Sequence, residues 1–237
     1  MNAQTIMICS GKGGTGKSTV SVLLGAQLGA WSRRVLLIEL DSGLRSVDMI
    51  AGVYGKTVYD IEDVLCGRCD GSKAIVPSPL YPGLSVISAP YEGGEVRAAP
   101  LAGLILAMRE YFDYILLDTA AGMGAPFTAA NRLADRALVV LTPDPVALRD
   151  GRIVADALLQ SGRPTSAVRL VESTVNDVMG LCASVKVNQE TAAISLRLPG
   201  GLAPTAESTC QNLMTGLMVY LAQLHDEYPE HIEVMEA

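Results

Sequence analysis

Residues 11–19 read Gly11-Lys12-Gly13-Gly14-Thr15-Gly16-Lys17-Ser18-Thr19 and lie between an apolar run (5–9) and a stretch of helical spacing (17–31). No other feature of the 237 residues restricts the fold so tightly. Glycines let successive backbone N–H groups turn inward without Cβ clashes, and the start of a helix adds its positive end, which makes a cradle for phosphate. The spacing from Gly11 to Gly16-Lys17-Ser18 fits the phosphate-loop pattern of strand, loop and helix. In that arrangement Lys17 neutralises the outer phosphates of a nucleoside triphosphate. The Ser18 hydroxyl ligates Mg²⁺, and the Thr19 hydroxyl reaches the α-phosphate. A chance glycine-rich turn would not also bring the Lys-Ser pair to the helix start.

The rest of the chain suits the α/β architecture that such a loop requires. Short apolar runs at 5–9, 35–40, 84–88, 114–117, 137–141 and 168–171 alternate with stretches of helical spacing at 17–31, 58–65, 101–111, 125–133 and 145–159. A further helix is expected at 209–224. Strands separated by helix-length connections predict a doubly wound, mainly parallel sheet flanked by helices. With 49% apolar residues but only 2 Phe and 1 Trp, the core must be built from Val, Ile, Leu, Ala and Met. That composition fits strands covered on both faces. The alternation fades over 172–205, where only a strand near 183–187 is expected. No repeat or long linker divides the chain, so residues 1–237 are read as one domain.

Charge and cysteine content limit the partners. The net charge of −7 counts against direct nucleic-acid binding, which calls for excess Lys and Arg. Residues 225–237 hold Asp226, Glu227, Glu230, Glu233 and Glu236 with no Lys or Arg. Such a tail repels an anionic lipid surface, so no autonomous membrane binding is expected. Neither a membrane span nor a signal sequence is read, and five cysteines suggest a reducing, cytoplasmic setting.

Lys12 adds a second lysine inside the loop. With it the segment resembles the deviant Walker-A loop of the MinD/ParA family of P-loop ATPases. In that family the extra lysine reaches across a homodimer to the partner's nucleotide. Glu39-Leu40-Asp41-Ser42-Gly43-Leu44-Arg45-Ser46-Val47-Asp48 extends the likeness, as does Thr57-Val58-Tyr59-Asp60, and it is strongest to the MinD, septum-site-determining branch. The resemblance implies ATP and Mg²⁺ as cofactors, with Lys12, Lys17 and Asp41 as catalytic residues and Asp41 orienting the attacking water. Glu39 stands where the family has Asp and is a candidate for the Mg²⁺ shell. Asp118, closing an apolar strand, takes the Walker-B place and holds Mg²⁺ through water. Gly122 supplies a backbone N–H to the γ-phosphate, although Ala120 replaces the family's proline. Asp150 is expected to pair with Lys12 when no partner engages that lysine. Glu172, after the sixth run, stands where the family places an Asn or Thr beside adenine.

The function implied is an ATP-dependent dimerisation switch in division-site placement, hydrolysing slowly until an activating or effector protein engages it. Two other readings stay open. Cys66-Gly67-Arg68-Cys69 could hold a metal or cluster across a dimer, or the altered Glu39 and Ala120 could mark a hydrolysis-impaired nucleotide-binding adaptor.

Overall fold

Along the central strands, successive side chains serve different layers, as the two-residue strand period requires. In the first strand, β1 (Gln4–Cys9), Ile6 and Ile8 enter one core layer and Met7 and Cys9 the other. The same division runs through β2 (Val35–Glu39), where Val35 and Leu37 oppose Leu36 and Ile38. All four of those side chains are fully buried. Each such aliphatic side chain contributes roughly 1.5–3 kcal/mol relative to exposure, and this holds the sheet between two helical layers.

The computed structural model describes residues 3–94, 96–142, 144–163, 168–176 and 182–186. The remaining elements are α1 (Lys17–Ala30), α2 (Ser46–Ile50), α3 (Ile61–Leu65), α4 (Gly71–Ala74), β3 (Val76–Pro77), β4 (Leu84–Ile87) and α5 (Ala98–Met108). They are followed by β5 (Tyr114–Asp118), α6 (Ala125–Leu133), β6 (Arg136–Leu141), α7 (Pro145–Gln160), β7 (Val168–Asn176) and β8 (Cys182–Lys186). The strands form one sheet in the order β3-β4-β2-β5-β1-β6-β7-β8. Six are parallel from β4 through β7, and each edge carries one antiparallel strand, β3 or β8. Leu24 and Leu28 of α1 fill one layer; Leu101 and Ile105 of α5, Phe127 of α6 and Leu158 of α7 fill the other.

The expected doubly wound sheet is present, with three additions and one extension. Helices α2 and α4 and strand β3 are too short to give a periodic signal. Strand β7 does not stop at Val171; it runs through Glu172 to Asn176 and pairs antiparallel with β8. The residue ending that strand is therefore an asparagine. Helix α3 starts at Ile61 rather than 58, because Asp60 caps it and Asp63 returns the favour to the Asp60 N–H. The helix expected at 209–224 and the acidic tail lie outside the described residues.

Candidate functional site

The carboxyl ends of β1, β2, β5 and β6 come together at the middle of the sheet, where β1 lies between β5 and β6. In open α/β sheets this is where ligands bind, because the connections diverge there and leave a crevice. From β1 the chain passes through Ser10, whose hydroxyl donates to the Lys12 carbonyl at 3.0 Å, into the glycine loop. Gly14 (φ 79°) and Gly16 (φ 82°) take left-handed backbone, which side chains disfavour. Gly11 is required for a different reason: a Cβ there would lie 2.6 Å from the backbone oxygen of Asp150 in α7. The loop ends directly at α1, whose first turn carries no acidic residue and whose N-cap offers no side-chain hydrogen bond. Its amides and positive dipole end thus face the loop.

Lys17 brings the charges together. Its ammonium lies 3.1 Å from Asp118 Oδ1 at the end of β5 and 3.5 Å from Asp41 Oδ2 just past β2. Lys17 is 7% and Asp118 0% exposed, whereas Asp41 remains 43% exposed at the mouth of the site. Burial pushes the Asp118 carboxyl above the usual range, opposed chiefly by the Lys17 charge and by hydrogen bonds from Ser18, Lys17 and Ser21. The Ser21 hydroxyl donates to Asp118 Oδ1 at 3.0 Å. Sequence reading missed Ser21, although its place one helical turn after Lys17 puts both on one face of α1.

The donor set fits a hydrated Mg²⁺ ion. Asp118 Oδ2 is buried without a hydrogen-bond partner, as is Thr15 Oγ1 in the loop. A buried carboxylate oxygen with no donor is costly, and a metal-bound water would satisfy it. Ser18, partly exposed beside Lys17, would offer a hydroxyl to the same ion, and Thr19 is exposed on α1. Gly13 has open space around it.

Three of the expected site residues are engaged by other groups of the chain. Glu39 is buried behind the site, and its two oxygens accept the N–H groups of Val47 (3.2 Å) and Ala89 (3.3 Å). Both oxygens of this carboxyl group are thereby engaged by backbone donors. The Gly122 N–H donates to the Ser10 carbonyl at 2.8 Å and so ties the segment after β5 to the loop. Lys12 pairs with Asp144 at 3.5 Å and not with Asp150. Asp144 caps α7, accepting from Val146 and Ala147 N–H, so its carboxylate is fixed at the helix end nearest the loop. Asp150, further along α7, pairs with Arg149 at 2.8 Å. The Thr142 hydroxyl, the Ala147 N–H and the Lys12 charge lower the Asp144 carboxyl to about 2. An Asp-Pro start is a readable helix-cap signal, and it would have pointed to Asp144 as the fixed acid.

Among the described residues no cluster of three or more His, Cys, Asp or Glu is arranged to hold a metal. Cys66 is exposed and accepts a hydrogen bond from Arg97 at 3.3 Å. No described helix is long and apolar enough to cross a membrane.

Residues 6–205 match CbiA, the CobQ/CobB/MinD/ParA nucleotide binding domain. The chain is similar to the septum site-determining protein MinD of Bacillus subtilis, at 32% identity over 209 residues, covering 86% of this chain and 77% of that protein. Further relatives of the same description are matched over less than two thirds of their own length. Among solved structures, the MinC:MinD cell division complex of Aquifex aeolicus aligns with a TM-score of 0.65 and 33% identity, over 72% of this chain and 68% of that one. MinD of Pyrococcus horikoshii, complexed with Mg-ADP, aligns with a TM-score of 0.62 and 26% identity, over 71% and 69%.

Proposed function

The chain belongs to the CobQ/CobB/MinD/ParA nucleotide-binding family, and from that premise we propose that it is a MinD-like ATPase acting as a dimerisation switch in division-site placement. The observation that carries this reading is Lys17, held between Asp118 and Asp41 at the start of α1 behind a loop in which Gly11, Gly14 and Gly16 each disfavour a side chain. The loop amides bind the phosphate oxygens of ATP, and Lys17 leaves its acids to neutralise the outer phosphates. Ser18, and Asp118 through water, would hold Mg²⁺, which would supply further positive charge to the outer phosphates when bound. Asp41, partly open to solvent, orients a water for attack and accepts its proton.

Lys12 is the residue that links two copies. It is 45% exposed and among the described residues is held by Asp144, itself 40% exposed, and an exposed pair of this kind is easily exchanged. Two triphosphates brought face to face repel, so a lysine donated from each side favours the closed homodimer. With only Asp41 to orient water, hydrolysis is slow until an effector protein engages. The MinC:MinD complex among the structural neighbours supports a partner of that kind. The acidic 225–237 segment supports a cytoplasmic protein that reaches anionic membranes only through a partner.

Sedimentation velocity tests the reading. The wild-type protein is expected to dimerise with ATP and not with ADP. Lys12→Ala should bind ATP more weakly and stay monomeric, while Asp41→Ala should trap the ATP-bound dimer. Normal ATP-dependent dimerisation by Lys12→Ala would overturn the sandwich arrangement, and unchanged turnover in Asp41→Ala would remove Asp41 from catalysis.

A further inference from the structure

The segment that carries Asp41 leaves β2 after Glu39 and returns to the sheet through α2, and it is fastened to the end of β4. The Gly43 N–H donates to the Pro90 carbonyl at 3.1 Å. Arg45, buried and in left-handed backbone, pairs with Asp48 at 2.8 Å, donates to Thr57 Oγ1 at 2.5 Å and lies 4.2 Å from the Tyr91 ring centroid. Asp48 in turn accepts from the Ser88 hydroxyl. Apart from the Arg45–Asp48 pair, which lies within the segment, each of these contacts joins its far part to residues 57 or 88–91. None reaches back to β2.

Glu39 makes that missing connection. It stands on β2 directly opposite Asp118 on β5, two residues before Asp41. One carboxylate oxygen accepts the Val47 N–H, at the start of α2, and the other accepts the Ala89 N–H, just past β4. Val47 lies in the first turn of α2, where amides have no partner within the helix, and Arg45 offers no side-chain cap. A single buried carboxyl group therefore closes the Asp41 loop at both ends, onto β2 and onto the β4 platform. Aspartate, one methylene shorter, has less reach to span both donors.

We infer that Glu39 is a positioning residue for Asp41, clamping the 40–47 loop through the Val47 and Ala89 amides, and is not a ligand of the Mg²⁺ shell. The catalytic half of this statement rests on the ATPase reading above. The clamp itself does not.

Amide hydrogen exchange on the nucleotide-free protein tests the clamp directly. In the wild type, Val47 and Ala89 should exchange with the protected class although neither amide has a backbone partner to explain it. In Glu39→Gln and Glu39→Asp, both amides should exchange about ten- to hundredfold faster, the range expected for losing a charge-assisted hydrogen bond. Protection of β1 and β5 amides should stay unchanged. In ATP turnover the same variants should lose about tenfold or more in kcat, with KM for ATP and the Mg²⁺ concentration giving half-maximal rate both unchanged. Wild-type Val47 and Ala89 amides that exchange like exposed ones would overturn the clamp without any variant having to fold. Unchanged exchange in the variants together with a raised Mg²⁺ requirement would overturn it in favour of a metal ligand. A wild-type protein that shows the protected amides but hydrolyses no ATP would refute the ATPase reading and the catalytic half, and leave the clamp standing.

Discussion

Removing the charge of Lys17 should unfold the site as well as empty it. Lys17 and Asp118 form an ion pair at 3.1 Å with side chains 7% and 0% exposed, so little water compensates either group. Breaking a buried pair by deleting one partner costs about 3–5 kcal/mol, because the remaining charge is left in a low-dielectric setting. In Lys17→Met the straight apolar stem is kept and the lost term is mainly charge. Asp118 would retain the Ser21 hydroxyl at 3.0 Å, and Oδ2 already lacks a partner. Asp41 is too exposed to add much. Urea denaturation in nucleotide-free buffer, followed by the fluorescence of the single tryptophan, Trp31, reads the effect. With an m-value of about 3 kcal/mol/M for a domain this size, the midpoint should fall by roughly 1–1.7 M. Lys17→Met/Asp118→Asn removes the stranded anion and should recover most of that loss. A midpoint within about 0.2 M of wild type for the single variant, or a double variant no more stable than the single, would refute the buried-pair argument.

Two further outcomes follow from the packing and the electrostatics. Gly11→Ala forces a Cβ against the Asp150 backbone at 2.6 Å, which cannot move like a flexible side chain, and should cost roughly 1–3 kcal/mol. Gly13→Ala, with nothing within 4 Å, is the control and should be close to neutral in the same melt. Burial pushes Glu39 from 4.5 up to about 7, against the Val47 and Ala89 hydrogen bonds. A carboxyl raised on folding contributes stability that is full below pH 4.5 and is lost as the pH climbs through 7. At 1.36 kcal/mol for each pH unit, that difference is at most about 3 kcal/mol. Denaturation at several pH values should give a falling stability over this window that is flatter in Glu39→Gln. Parallel slopes for the two proteins would refute the assignment.

Local sequence was enough for the loop and the sheet, because both are specified by neighbours in the chain. Apolar runs flanked by turn residues became β1, β2, β4, β5 and β6 within a residue or two. The Lys-Ser pair after four glycines had to begin a helix. Asp118 at the end of a buried strand had to face the carboxyl side of the sheet, beside Lys17. What tertiary structure decided was the choice among competing partners. Lys12 was expected to meet Asp150, and the fold pairs it with Asp144, whose carboxylate is fixed by capping α7. Glu39 looked like a metal ligand by position, yet Val47 and Ala89 bring two unpaired amides to it from 8 and 50 residues away. Gly122 gave its N–H to Ser10, 112 residues distant in the chain, only because β5 runs parallel to β1. Sequence determines which groups can donate, accept or carry charge. Which of them meet depends on strand order and helix packing, and those are set by burying the whole apolar core.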